Sequence, residues 1–176
     1  MTIRDEAPGD VAAIRRVHLE AFGGGVEARI VELLRESGRS AVSLVAEVDG
    51  EVIGHVIYSA VVAADAEKEF RAVSLGPVGV RPAWQSQGHG SILIREGLRR
   101  CSAEGYHAVV LVGNPGYYAR FGFQPAHRAG LENEWGVHDE FMVLTLREGA
   151  LDLVRGMVRY APEFQQAMDH DDTKRW

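Results

Sequence analysis

Apolar and polar positions alternate along the chain with two periods, one near 3.6 and one near 2, and their order predicts the elements. Residues 2 to 5 read as a short strand. From Pro8 and Asp10 a helix carries Ile14, Val17, Ala21 and Phe22 on one side until Gly23-Gly24-Gly25 stops it. A second helix, from about Val26 to Ser37, has Val26, Ile30, Leu33 and Leu34 as its buried stripe, turns Glu27, Glu32 and Glu36 outward, and ends at Gly38. Ser40 to Val48 and Glu51 to Ala60 follow as two strands around Asp49-Gly50, a strong hairpin signal, and Asp65 to Glu69 reads as a polar turn. Strand-like residues 73 to 80 then lead into a helix bearing Ile92, Leu93, Ile94, Leu98 and Cys101. After Gly105, Ala108 to Val112 is a short apolar strand of the buried, parallel kind. Glu140 to Arg147 supplies another strand, and Leu151 to Tyr160 reads equally as helix or strand. Residues 1 to 164 are expected to form one domain and 165 to 176 a polar tail.

The stretch from 71 to 103 organises the rest. Val73 to Val80 is rich in β-branched residues yet holds Gly76, Pro77 and Gly79, which weaken a regular central strand and predict a bulge. A bulge turns ladder N–H and C=O groups away from the partner strand and offers them to an extended, amide-bearing ligand. Gln85 to Gly90 is a polar loop with two glycines at a helix start. There the unpaired first-turn N–H groups and the positive end of the helix dipole favour a phosphate or pyrophosphate. Gly88-His89-Gly90 taken alone is better read as a plain turn. No Gly-Lys-Ser/Thr follows, so a P-loop is not supported, and the third glycine of a dinucleotide fingerprint is missing.

Composition narrows the class. The 176 residues suit one full-sized core, and 46% hydrophobic with 25% charged residues is ordinary for a globular protein. The charged start lacks a signal-peptide core, so a cytoplasmic protein away from membranes is expected. Cys101 excludes an internal disulfide and any cysteine metal site, and its helical spacing from Ile94 and Leu98 makes it a small core residue. A net charge of -6 argues against nucleic acid as partner. Between Arg81 and Arg100, however, four arginines (Arg81, Arg95, Arg99, Arg100) face one acid, Glu96. That island reads either as a polyphosphate-binding face or as a solvated helix surface.

Strand, helix, strand implies that Ala108 to Val112 lies parallel beside the bulged strand, and ligands in open α/β sheets sit beyond the carboxyl ends of such strands. At that end Asn114-Pro115-Gly116-Tyr117-Tyr118-Ala119-Arg120-Phe121-Gly122-Phe123 reads as a short helix, with Pro115 at its first position and Gly122 at its exit. His55 alternates with Ile53 and Ile57 and so lies on one defined strand face, while His18 receives no role.

Taken together, Val78-Gly79-Val80-Arg81-Pro82, Gln85-x-x-Gly88-x-Gly90 and the Tyr-x-x-x-Gly-Phe ending at Phe123 closely resemble the GNAT superfamily of acetyl-CoA-dependent N-acetyltransferases, over Thr2 to Arg147. The resemblance implies an α/β (α+β) fold. Its mixed, mostly antiparallel twisted sheet has a central parallel strand pair splayed around the acetyl-CoA site and about four flanking helices. It also implies acetyl-CoA as cosubstrate and an unidentified amine as acceptor. The backbone of Val78, Gly79 and Val80 would then pair with pantetheine, Gln85, Ser86, Gln87, Gly88, His89, Gly90 and Ser91 would wrap the pyrophosphate, and Asn114 would join the cofactor site. Many members carry an asparagine seven residues before the helix tyrosine, whereas Asn114 lies four before Tyr118, which makes the helix here shorter.

On this reading a free amine with a pKa near ~10 must lose a proton before attacking the acetyl carbon. A backbone N–H on the bulged strand, that of Val78, stabilises the oxyanion, and Tyr118 protonates the departing thiolate as general acid. The base is left open among His55, Glu69, His138 and a water chain. The acidic first helices fit either a cationic acceptor or a solvated surface. A monomer or homodimer is expected. The alternative is a catalytically silent acyl-CoA-binding module that regulates or scaffolds a partner.

Overall fold

A computed structural model describes residues 1–170. Over these residues the chain divides into two compact units. One holds Met1–Ser59, Gly76–Gly97 and the segment from Pro162; the other holds Ala60–Leu75 and Leu98–Ala161.

In the first unit, β1 (Thr2–Asp5) runs antiparallel to β2 (Ser40–Val48), and β2 runs antiparallel to β3 (Glu51–Ala66). The β2–β3 hairpin turns at Asp49 and Gly50 with φ of 50° and 80°, the doubly left-handed geometry for which Asp-Gly is suited. Helix α1 (Val11–Phe22) buries Ile14, Val17 and His18 and closes on Gly23 at φ 70°, whose N–H bonds Leu19 O at 3.0 Å. Helix α2 (Val26–Glu36) buries Val26, Ala28, Ile30, Val31 and Leu34.

Strand β4 (Ala72–Val80) ends in this unit. Arg81 N–H donates to Ile53 O at 2.9 Å, and Gly54 keeps open a space in which a Cβ would lie 3.2 Å from Gly79 O. Helix α3 (His89–Ala103) begins here as well. Its Gly97 admits the Tyr58 ring, whose hydroxyl donates to Ile94 O at 2.9 Å.

The polar tail expected from Gln165 is instead helical at its start. Helix α5 (Glu163–Asp169) buries Glu163 and Ala167, four residues apart on one face, and Glu163 receives Arg39 Nε at 3.1 Å. An inward alanine and a paired carboxylate supply the burial that a reading of polarity alone does not register. The rest of that tail, 171 to 176, lies outside the described residues.

In the second unit, β4 pairs parallel with β5 (Ala108–Val112) over Ala72–Ser74 against Ala108–Val110, as the strand–helix–strand order implied. Strand β5 pairs antiparallel with β8 (Phe141–Thr145), and β8 with β6 (Gln124–Pro125). Strand β3 extends to Ala66 rather than ending at Ala60, because Val62–Ala66 finds an antiparallel partner in β9 (Val154–Arg159). That pairing settles 154–159 as strand, and Gly156 sits in it at φ 76°. Strand β9 also pairs parallel with β7 (Leu131–Asn133). Helix α4 (Pro115–Tyr118) is short, continues as a tighter turn to Phe121, and leaves through Gly122 at φ 95°. The strands are thus mostly antiparallel and mixed with helices, and the α-helices number five among the described residues, against the about four expected. None is long and apolar enough to cross a membrane.

Candidate active site

The strand end and loop singled out in the sequence lie together in the first unit. Regular strand geometry breaks at Gly76, with φ 127°, followed by a cis peptide bond to Pro77. Gly79 is buried against α1: a Cβ there would lie 3.2 Å from His18 Nδ1 and 3.4 Å from both Ala21 Cβ and Val17 Cγ1. Val78 and Val80 are half-buried and by strand alternation face the other way.

The loop that follows is exposed from Gln85 to Gly88. Ser86 adopts φ 60° and Gly88 φ 87°, two left-handed positions on either side of Gln87. The first intrahelical bond of α3 is Ile92 N–H to Gly88 O at 3.0 Å, so the N–H groups of Gly88, His89 and Gly90 precede the helical ladder and have no partner within it. Side chains shape this loop from inside. Gln85 Nε2 donates to Val80 O at 2.8 Å and Gln87 Nε2 to Ala83 O at 3.1 Å, while the His89 ring meets Trp84 edge-on at 5.9 Å. Gln85 therefore ties the loop to the end of β4.

The basic island expected between Arg81 and Arg100 is not free charge. Arg81 Nε donates to Glu20 at 2.8 Å and Nη1 to Glu51, and Arg95, Arg99 and Arg100 also interact within the protein. Acids from α1 and β3 neutralise Arg81, which a count confined to 81–100 cannot show.

Asn114 and Tyr118 belong to the second unit. Asn114 caps α4: its Oδ1 accepts Tyr117 N–H at 3.2 Å and its carbonyl accepts Tyr118 N–H at 3.1 Å. Tyr118 sits in an aromatic cluster with Tyr117, Phe121 and Phe123 at centroid separations of 5.0, 6.2 and 6.0 Å. Burial, reinforced by Tyr117, pushes its phenol up to about 12, so it keeps its proton throughout the neutral range. Gly113, unremarked in the sequence, is what admits the ring, since a Cβ there would lie 2.4 Å from Tyr118 Cε2.

Of the base candidates, Glu69 is exposed, and His138 is exposed beside Asp139, with Nδ1 3.1 Å from Oδ1. His55 is fully buried, and so is His18, to which sequence reasoning gave no role although it stands four residues after Ile14 on the apolar stripe of α1. His18 Nε2 lies 2.8 Å from His55 Nδ1 and its ring stacks on Phe22, 5.9 Å away. Cys101 is fully buried, and burial raises its thiol to about 12, the inert core role its spacing predicted.

The family model of the GNAT acetyltransferase domain matches residues 2–126. The chain belongs to the GNAT acetyltransferase family. Among its relatives, YhbS of Escherichia coli (strain K12), known as an uncharacterized N-acetyltransferase, is 37% identical over 94% of this chain and 99% of its own length. The crystal structure of Escherichia coli YhbS in complex with CoA aligns at a TM-score of 0.88 with 36% identity, covering 93% of this chain and 91% of that one. A GNAT family acetyltransferase from Brucella melitensis in complex with acetyl-CoA aligns at 0.78 with 39% identity, covering 93% and 97%. The GNAT fold implied by the motifs is thus the fold found.

Proposed function

We propose that this GNAT protein transfers the acetyl group of acetyl-CoA directly to a primary amine of a small molecule or protein. The observation that carries the cofactor half is the loop from Gln85 to Gly90, whose left-handed Ser86 and Gly88 deliver main-chain N–H groups to the start of α3. CoA and acetyl-CoA in the Escherichia coli and Brucella melitensis structures support the same cosubstrate here. Val78, Gly79 and Val80 then bind pantetheine through their backbone, Gln85 to Ser91 hold the pyrophosphate, and Asn114 acts chiefly by capping the helix that carries Tyr118. The break in strand geometry at Gly76 supports the first of these assignments.

Tyr118 is the general acid. Its hydroxyl makes no hydrogen bond to the described residues, its proton is retained at neutral pH, and the thiolate of CoA needs a proton as it leaves. The Val78 N–H stabilises the oxyanion of direct attack. Residues 1–164 act as one acetyltransferase domain, a reading supported by a family match that runs unbroken over 2–126. No observation favours the silent acyl-CoA-binding module.

Calorimetric titration with acetyl-CoA, ATP and NADH tests the cofactor half. Acetyl-CoA alone binds, and Gly88→Glu, which places a carboxylate at a left-handed position in the cradle, abolishes it. Failure of the unmutated protein to bind acetyl-CoA would remove the assignment.

A further inference from the structure

Acetyl transfer to an amine releases a proton, and the first unit contains a chain of groups, buried at its two histidines and half-buried at its other end, ordered to accept one. Glu6, Ser43, His55 and His18 are joined in that order. Ser43 Oγ donates to Glu6 Oε2, His55 Nε2 lies 2.8 Å from Ser43 Oγ, and His18 Nε2 lies 2.8 Å from His55 Nδ1. Arg35 Nε donates to the other oxygen of Glu6.

The direction of every bond follows from the carboxylate. Burial raises the Glu6 carboxyl, but His55, whose Nε2 lies 3.7 Å away, and hydrogen bonds from Ser43 and Arg35 outweigh it and hold the group at about 2, so Glu6 accepts. The hydroxyl of Ser43 has one proton, already given to Glu6, and its oxygen can only accept from His55. His55 therefore carries its proton on Nε2 and accepts on Nδ1. That acceptance requires the proton of His18 to be on Nε2 and leaves His18 Nδ1 as a bare lone pair. This atom is fully buried, has no hydrogen-bond partner in the described chain, and faces Gly79, in the strand segment assigned to pantetheine.

We propose that His18 Nδ1 is the proton acceptor for the attacking amine, with His55, Ser43 and Glu6 as the relay of hydrogen bonds that fixes its tautomer and stabilises the imidazolium it becomes. The inference rests on the acetyl-transfer reading. As the amine nitrogen bonds the acetyl carbon, its N–H breaks and a proton arrives at His18 Nδ1, directly or across one water. His18 becomes an imidazolium with its Nε2–H still held by His55 Nδ1, and the His55–Ser43–Glu6 chain, ending on a carboxylate that stays ionised, stabilises that charge until the proton leaves to solvent. No oxidant or further reactant enters. His18 is the catalytic residue, and His55, Ser43 and Glu6 position it.

The charged and titratable groups around the relay are Glu6 after β1, Asp10 before α1, Arg35 on α2 and the two histidines themselves. A histidine stacked on Phe22 and held this way is neutral at pH 7 and free to accept.

Two measurements on the full chain test this. Two-bond proton–nitrogen correlation spectra of the 15N-labelled protein at pH 7 should show His18 and His55 both protonated on Nε2; His18 protonated on Nδ1 would overturn the proposal. Calorimetry with acetyl-CoA comes next, because a wild-type chain that does not bind sinks the acetyltransferase reading without touching the tautomers. CoA thiol release from acetyl-CoA is then followed with n-butylamine, a lysine-like probe, and with hydroxylamine, which is already neutral at pH 7; release to water replaces the butylamine arm if wild type does not use that amine. His18→Gln is expected to keep acetyl-CoA affinity within about twofold and to lose roughly tenfold or more of the butylamine or water rate, but less than about threefold of the hydroxylamine rate. Ser43→Ala, which retains both histidines and cuts only the link to Glu6, should move in the same direction by a smaller factor. Unchanged rates, or equal losses for both nucleophiles, would reduce the relay to packing.

Discussion

The ring of Tyr118 occupies the space that a side chain on Gly113 would fill, with Cε2 only 2.4 Å from the position of the missing Cβ. Gly113 follows β5 directly and donates its N–H to Glu140 O at 2.9 Å, so the backbone beneath the ring is pinned. Gly113→Ala cannot be absorbed by that backbone and must displace the tyrosine. Its turnover should fall by about as much as that of Tyr118→Phe, roughly ten- to a thousandfold, with acetyl-CoA affinity within a few-fold of wild type. Steady-state kinetics beside calorimetry checks this. Normal turnover in Gly113→Ala would mean that the observed ring position is irrelevant to catalysis.

The raised phenol of Tyr118 has a consequence for alkaline pH. Burial disfavours the phenolate, so between pH 7 and about 11 the acid remains protonated and contributes no falling limb to turnover. An alkaline limb near pH 10 that disappears in Tyr118→Phe would show an exposed, ordinary tyrosine instead.

Acid should unfold this protein early. His18 and His55 are held below the ordinary histidine value, burial being the first cause for both, so the unfolded chain takes up protons first as pH falls below about 6.5. Each histidine then removes up to about 1.4 kcal/mol of stability per pH unit until its folded value is passed. Glu6 adds a second loss, from the usual 4.5 down to about 2, worth at most about 3 kcal/mol. Melting temperature measured from pH 8 to 3 should therefore drop in two overlapping stages, and Glu6→Gln should flatten the lower one. A flat profile down to pH 4 would contradict the buried neutral pair.

Gly97→Ala sets two effects against each other. In a helix interior the change gains about 1 kcal/mol of propensity, but the new Cβ would lie 2.2 Å from Tyr58 Cε2, and overpacking of that kind costs about 1–3 kcal/mol or more. Net destabilisation is expected in chemical denaturation. Tyr58→Leu in the same chain should recover part of it, giving a non-additive pair. Additive effects would mean that the ring simply moves aside.

Local signals carried most of the fold. Asp49-Gly50, the glycine stops after α1 and α2 and the apolar run of β5 each state their element within a few residues. Strand β3 beyond Ala60, strand β9 and helix α5 were not legible because pairing or packing with distant residues makes them: Val62 meets Arg159, and Glu163 meets Arg39. The candidate site divides in the same way. The Gln85–Gly90 cradle and the Tyr118 helix are local motifs and stood out. Gly113 acts on a ring only five residues away but across an irregular turn that no periodicity marks, and only coordinates show that Glu6, Ser43 and His55 lead to His18. The sequence did hold one clue to the last, a histidine on an otherwise apolar helix stripe.

The insertion of Tyr58 beside Gly97 works as a dowel between β3 and α3. With its hydroxyl on Ile94 O and its ring in the glycine notch, it removes the freedom of α3 to roll about its axis or slide along it. The direction in which Gly88, His89 and Gly90 aim their N–H groups is thus set about one to two and a half helical turns away. Random mutagenesis scored for loss of acetyl-CoA binding would recover substitutions at Tyr58 and Gly97, residues that need never meet the cofactor, beside those in the loop itself.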